Sequence, residues 1–238
     1  MKKSRGNIAF YIICTFCFLL FIFFSYKDLS SLYVQTINEE KHINIILDAG
    51  HGGEDGGAVG GNGEVEKDIN LAIVTQLKQL FLLDGFSVTT IRESDKAICD
   101  EGLDTIRERK RSDLTNRLKL YNKSKNNIVL SIHQNKFQKS NCKGAQIFYS
   151  KNNEKSEMLG EHIRTSINSL LQPENTRELE MAGENIFLMK NAEVPAVIVE
   201  CGFLSNKEET QLLITTEYQN RMAYAIYLGF LDFYNSVY

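Results

Sequence analysis

Residues 46–58 read ILDAGHGGEDGGA. A short apolar run ends in Asp48 and passes at once into a glycine-rich turn carrying His51, Glu54 and Asp55. Such a junction suits a phosphate cradle, a metal site or an ordinary tight turn, and only the rest of the chain decides among them. Working outward, NIILD (Asn44 to Asp48) has the continuous apolar character of a strand covered on both faces. Beyond the loop, Ile69, Ile73, Leu77, Leu80 and Phe81 recur at spacings of three and four, which predicts an amphipathic helix stopped by Asp84 and Gly85. FSVTTI (Phe86 to Ile91), IVLSI (Ile128 to Ile132), GAQIFY (Gly144 to Tyr149) and AVIVE (Ala196 to Glu200) read as further strands. Leu114, Leu118 and Tyr121 mark a helix; so do Met158, Leu159, Ile163, Ile167, Leu170 and Leu171, and Glu217 to Tyr234 closes the chain as another. This alternation predicts a single α/β domain with a largely parallel, twisted sheet flanked by helices. The charged segment from Glu93 to Arg111 suits either a long loop or a short surface helix.

Composition narrows the function. The 238 residues are 43% hydrophobic, enough for one sizeable core. Lysine and arginine total 27 against 30 acids, a net charge of −3, so no broad basic surface is expected and nucleic acid is a poor candidate partner. MKKSRGN places three positive charges before an uncharged run from Ile8 to Phe24. That run is at the short limit of a membrane span, which needs roughly 17 to 25 residues, and the preceding charges orient the remainder outward. An N-terminal hydrophobic helix within residues 1–26 is therefore expected, as a membrane anchor or a signal segment. The uncleaved anchor is favoured because no small-x-small pair follows Phe24. Residues 27–41 read as a linker and 42–238 as the working domain, outside the cytoplasm. Three cysteines lie there, Cys99, Cys142 and Cys201, so at least one thiol is free, and a bridge between Cys99 and Cys142 is left open.

In open α/β sheets, functional groups gather beyond the carboxyl ends of the strands. IILDAGH delivers His51, VLSIH delivers His133 and AVIVE delivers Glu200, while Glu66 in GEVEKD stands where the glycine loop gives way to a helix. Each has an ordinary explanation alone: a hydrogen-bonded structural histidine, a polar strand end, or an acid favoured at a helix start. Together they require that coincidence four times, whereas two histidines and a carboxylate are the donors catalytic zinc takes, with water in the fourth place. The phosphate reading lacks the lysine followed by Ser or Thr of a P-loop, and Glu54 and Asp55 would repel a phosphate. Ser131 lies two residues before His133 with no nucleophile elbow. Glu54 and Asp55 then read as a solvated turn, and His42 and His162 as solvated or structural.

DAGHGGEDGGAVGGNGEVEKDINL, TIRESD, NRLKLYNKSKNNIVLSIHQN and VPAVIVECGFLSNKEE, in that order, resemble the motifs of the zinc-dependent N-acetylmuramoyl-L-alanine amidases, the family called Amidase 3. The resemblance runs from about Ile43 to the C-terminus and is greatest to the spore-cortex, germination-specific branch. It implies that His51, Glu66 and His133 bind Zn²⁺ and that Glu200 is the catalytic carboxylate. Glu66 is preferred to Glu64 because the family's glutamate precedes Lys-Asp. The implied reaction is hydrolysis of the amide between N-acetylmuramic acid and L-alanine in peptidoglycan, in cortex maturation with muramic-δ-lactam formation, with an activating protein partner as a further implication. A general wall amidase for cell separation or remodelling, and a non-catalytic domain that binds peptidoglycan or a partner, are the alternatives. Arg92 and Arg117 match family positions, where structural ion pairs explain them equally well. The chain departs from the pattern at Gln134 and Lys136, where small residues are common, and at Cys201, where an apolar residue is usual.

Overall fold

A computed structural model describes residues 10–12, 14–24 and 43–238. The chain divides into two units, residues 1–41 and 42–238. In the first, residues 10–12 and 14–24 are helical. No helix among the described residues is long and apolar enough to cross a membrane. The expected linker, and His42, lie outside the described residues.

The second unit runs β1 (Asn44–Ala49), α1 (Glu66–Leu83), β2 (Ser87–Thr90), α2 (Ile106–Tyr121), β3 (Asn127–Asn135), β4 (Gln146–Tyr149), α3 (Lys155–Leu170), β5 (Glu180–Met181), α4 (Phe187–Asn191), β6 (Ala196–Phe203), α5 (Lys207–Leu213) and α6 (Thr216–Val237). One six-stranded sheet has the order β2-β1-β3-β6-β4-β5. The four strands from β2 to β6 are mutually parallel; β4 joins β6 antiparallel and carries β5 parallel to itself. The largely parallel sheet expected from the alternation is therefore present, with one reversed edge pair.

Burial explains the strand sequences. Ile45, Leu47, Ile128, Leu130, Val197 and Val199 face a core shared with Ile69 and Ile73 of α1, Leu159 and Ile163 of α3, and Met222, Ile226 and Phe230 of α6. The intervening residues, Ile46, Val129, Ala196 and Ile198, face a second core with Tyr121 of α2 and Leu188 and Met189 of α4. A strand covered on both sides has no solvent face to advertise, hence its unbroken apolar run.

The charged segment resolves as irregular chain over 93–105 followed by α2, opened by a capping box between Thr105 and Glu108. Neither alternative alone describes it, because the capped helix runs on through Tyr121. Cys99, Cys142 and Cys201 are free thiols. His162 sits within α3, its ring 6.5 Å from that of Phe233.

Candidate metal and catalytic site

The chain leaves β1, returns through β2 on one side of it, and comes back through β3 on the other. This reversal opens a crevice at the carboxyl ends of β1 and β3, the usual ligand position in such sheets. His51 lies just past β1, His133 near the end of β3, and Glu200 within β6 in register with His133. Glu66 opens α1. The four residues singled out in the sequence are thus drawn to one end of the sheet.

Glu66 is the hub. Its Oε1 is 3.2 Å from His51 Nε2 and 3.0 Å from His133 Nδ1. Ala58 N–H donates to its Oε2 at 2.7 Å, and Gln134 N–H to its Oε1 at 3.1 Å. The two imidazoles stand edge to face, centroids 5.1 Å apart. One donor atom from each of His51, Glu66 and His133 lies within 4.8 Å of the others, a group able to hold a metal ion. Burial works to raise the Glu66 pKa, but the hydrogen bonds with His133 and His51 outweigh it and hold the carboxyl well below its usual range. Burial also opposes charge on His51, yet hydrogen bonds to Asp55 and Glu66 lift it to about 9.

Glu200 differs from Glu66. It keeps some exposure as a residue, but its Oε2 is sealed from solvent with no hydrogen-bond partner. Desolvation, countered in part by His133, raises its pKa to about 7. An unpaired carboxylate beside two histidines is costly to the fold, and perturbed groups of this kind mark sites where protons move.

Two glycines make the room. A Cβ on Gly57, where φ is +70°, would lie 2.5 Å from Glu66 Oε2 and 2.6 Å from His51 Cδ2. A Cβ on Gly50 would lie 2.2 Å from His133 Cε1. His51 is the only described non-glycine residue with positive φ, at 63°, a conformation that costs on the order of 1 kcal/mol and needs support from its surroundings.

Arg92 and Arg117 supply that support. Arg92 donates to the carbonyls of Ala49 (2.9 Å), Gly50 (3.1 Å) and Lys67 (2.7 Å). Arg117 donates to those of Ala49 (3.1 Å) and His51 (2.7 Å) and forms a buried ion pair with Asp48. Asp48 also accepts from the hydroxyls of Tyr121 and Ser131. Both arginines therefore grip the backbone that presents His51 and touch no other proposed site group. On the far side of Glu66, Gln134 Nε2 donates to Asn70 Oδ1 at 3.1 Å, and Asn70 Nδ2 to Glu66 Oε1 at 3.3 Å. The departure from small residues at 134 thus fills a buried polar chain behind Glu66. Cys201 is fully buried, and desolvation drives its thiol pKa upward, so it packs as a small apolar residue would. Lys136 donates to the carbonyl of Val59 at 2.8 Å.

The solvated-turn expectation for Glu54 and Asp55 is corrected. Glu54 pairs with Arg109 of α2 at 2.5 Å, and Asp55 lies 3.0 Å from His51 Nδ1 and 3.1 Å from Lys110 Nζ. Asp95 adds a clamp the motifs did not flag, accepting from Gly53 N–H at 2.8 Å and pairing at 2.6 Å with Lys67, which itself donates to Gly53 O.

Known proteins share this architecture. The family profile described as N-acetylmuramoyl-L-alanine amidase matches residues 45–232. The germination-specific N-acetylmuramoyl-L-alanine amidase of Bacillus subtilis (strain 168) is 36% identical over 235 residues, 98% of this chain and 97% of that protein. The CwlD amidase of Clostridioides difficile, solved in complex with the GerS lipoprotein, superposes with a TM-score of 0.78 at 38% identity, covering 82% of this chain and 99% of the other. The catalytic domain of the amidase CwlV from Bacillus (Paenibacillus) polymyxa var. colistinus gives 0.65 at 27% identity, with 82% and 99% covered. The chain belongs to the N-acetylmuramoyl-L-alanine amidase family.

Proposed function

We propose that His51, Glu66 and His133 hold Zn²⁺, and that Glu200 is the catalytic carboxylate for hydrolysis of the amide between N-acetylmuramic acid and L-alanine in peptidoglycan. The observation that carries this reading is the convergence of His51 Nε2, Glu66 Oε1 and His133 Nδ1 beside a carboxylate oxygen with no partner of its own. The donor set fits the ion: two imidazole nitrogens, which give up any proton on metal binding, and one carboxylate oxygen are what catalytic zinc takes while keeping a position open. Glu66 suits the task because Ala58 N–H fixes its Oε2 and leaves Oε1 turned to the histidines. When bound, Zn²⁺ supplies Lewis acidity for the amide carbonyl and makes water a nucleophile near neutral pH.

The chain's own part is the proton. Water oxygen bonds to the lactyl carbonyl carbon, Glu200 takes the water proton, and the same proton passes to the alanine nitrogen as the C–N bond breaks. The products are a lactyl carboxylic acid on the glycan and a stem peptide with a free amino terminus. A carboxylate whose pKa burial raises to about 7 is matched to taking and returning a proton at neutral pH.

The biological setting we infer is the spore cortex, where removing stem peptides prepares muramic acid for δ-lactam formation; the germination-specific relative supports this. Residues 1–26 would hold the domain at a membrane surface through residues 27–41, outside the cytoplasm. A protein partner is inferred from the C. difficile relative, solved with a lipoprotein bound. Mass spectrometry of peptidoglycan incubated with zinc-loaded protein tests the reaction. Stem peptides with a free L-alanine amino terminus and peptide-free muramic acid are expected; cleavage at any other bond overturns the reading. Cortex from a deletion strain that keeps its muramic-δ-lactam would overturn the cortex role.

A further inference from the structure

The turn that carries His51 also carries the group that aims it. Asp55 is four residues on, and its Oδ2 sits 3.0 Å from His51 Nδ1, while the other ring nitrogen, Nε2, faces Glu66 at 3.2 Å. A neutral imidazole has one protonated nitrogen and one lone pair, and the hydrogen bond made by the first decides which nitrogen offers the second. An acceptor on Nδ1 therefore leaves the Nε2 lone pair directed to the point shared with Glu66 and His133.

Asp55 is itself held in place. Its backbone makes a two-way bridge with Gly52, N–H to carbonyl in both directions, at 2.9 and 3.2 Å. Its Oδ1 accepts from Gly57 N–H at 3.3 Å. Lys110 of α2 approaches Oδ2 at 3.1 Å, and the neighbouring Glu54 is anchored on Arg109, one residue before Lys110. The acid is thus fixed from its own turn and from α2, and can orient the ring. His51 needs this: its side chain is 21% exposed and its backbone lies in the left-handed region, so packing alone does not fix the ring.

We propose that Asp55 is the positioning residue of His51, selecting Nε2 as the nitrogen offered to the metal and locking the imidazole against α2 through Lys110. This rests on the reading of His51 as a metal ligand. Carboxylates in this position raise ligand basicity and fix ring orientation, and their loss costs about 10- to 100-fold in metal affinity.

The test is zinc affinity, measured on the purified full chain by competition with a chromophoric chelator, for the unaltered protein and for His51→Ala, Asp55→Ala and Asp55→Asn. Asp55→Ala is expected to weaken zinc binding about 10- to 100-fold. Asp55→Asn keeps the shape and, with its oxygen on Gly57 N–H, turns an amide nitrogen to His51 Nδ1 and Lys110 in place of the accepting oxygen, so it too should weaken zinc binding while the protein stays folded. It also serves if Asp55→Ala fails to fold. A purely structural Asp55 would leave the Asn variant's zinc affinity at the unaltered value, and that result overturns the proposal. Undiminished zinc binding by His51→Ala would instead overturn the ligand assignment beneath it, so the two failures are distinguishable. Long-range ¹⁵N–¹H spectra of the zinc-loaded protein give a second readout. A protonated Nδ1 on His51 is expected, and ligation through Nδ1 overturns the proposal.

Discussion

His133 and Glu200 are register partners on the adjacent parallel strands β3 and β6. Residues paired in this way point to the same face of a sheet, so the proposed ligand and the proposed base are fixed side by side by main-chain hydrogen bonds. Ala49 is paired with Ile132 on the other flank of β3, which brings His51 to the same edge. The site is therefore a property of strand register, and a loop supplies only the last two residues of reach to His51.

Glu200→Gln keeps the shape of the side chain and removes its basicity. Amide hydrolysis is expected to fall by about 10²- to 10⁴-fold, the usual contribution of a positioned acid or base, with zinc content unchanged. Assaying muropeptide release beside metal analysis of the same preparation checks both; full activity in the variant would remove Glu200 from the mechanism.

The same residue should leave a mark on stability. Burial lifts its folded pKa from the ordinary 4.5 to about 7, so the fold binds this proton more tightly than the unfolded chain does. Its contribution to metal-free stability is then greatest below the ordinary pKa, declines as pH rises through the interval to about 7, and is level above. Relative to Glu200→Gln, the unaltered protein should lose on the order of 3 kcal/mol between about pH 4.5 and pH 8, read from urea unfolding of both proteins without metal. Parallel profiles for the two would refute the shift.

Gly57→Ala places a methyl against Glu66 Oε2 and His51 Cδ2 at a backbone angle that disfavours a Cβ. Neither contact is with the flexible end of a surface side chain, because both atoms belong to the converging group. Loss of zinc is expected together with about 1–2 kcal/mol of destabilisation from the left-handed backbone alone. Gly61→Ala, where nothing lies within 4 Å, is the control and should retain its zinc.

Such positions mark what was legible in the sequence. β1, β3 and β6 announce themselves because both faces are covered and their central residues form nearly unbroken apolar runs, and His51, His133 and Glu200 could be placed from their strand ends. β5, α4 and α5 span two, five and seven residues, too few to express a period. The role of Asp55 was hidden for another reason. Its meeting with His51 depends on the left-handed turn at His51 and on α2 arriving with Lys110, and neither leaves a repeat in the letters. Tyr121 reads as an apolar helix position, which its buried ring satisfies, while its hydroxyl bond to Asp48 depends on the packing of α2 against β1.

The support beneath His51 gives the remaining expectation. Asp48 is fully buried between Arg117, Tyr121 and Ser131. Burial works to raise its pKa, but Arg117 and the two hydroxyls outweigh it and hold the carboxyl below its ordinary value of 3.8. Its contribution is thus complete above that value and is lost as pH falls below it. Asp48→Asn leaves Arg117 with Asp113, at 2.7 Å, as its remaining carboxylate partner, so the cost is at most the loss of about 3–5 kcal/mol that goes with a broken buried pair. Arg117→Lys keeps a charge near Asp48 but gives up the planar fork that also reaches the carbonyls of Ala49 and His51. It should cost less in urea unfolding, about 1–3 kcal/mol, and yet weaken zinc binding, because the freed carbonyl belongs to His51 itself. Zinc affinity unchanged in a folded Arg117→Lys protein would show that the guanidinium holds the fold and not the ligand.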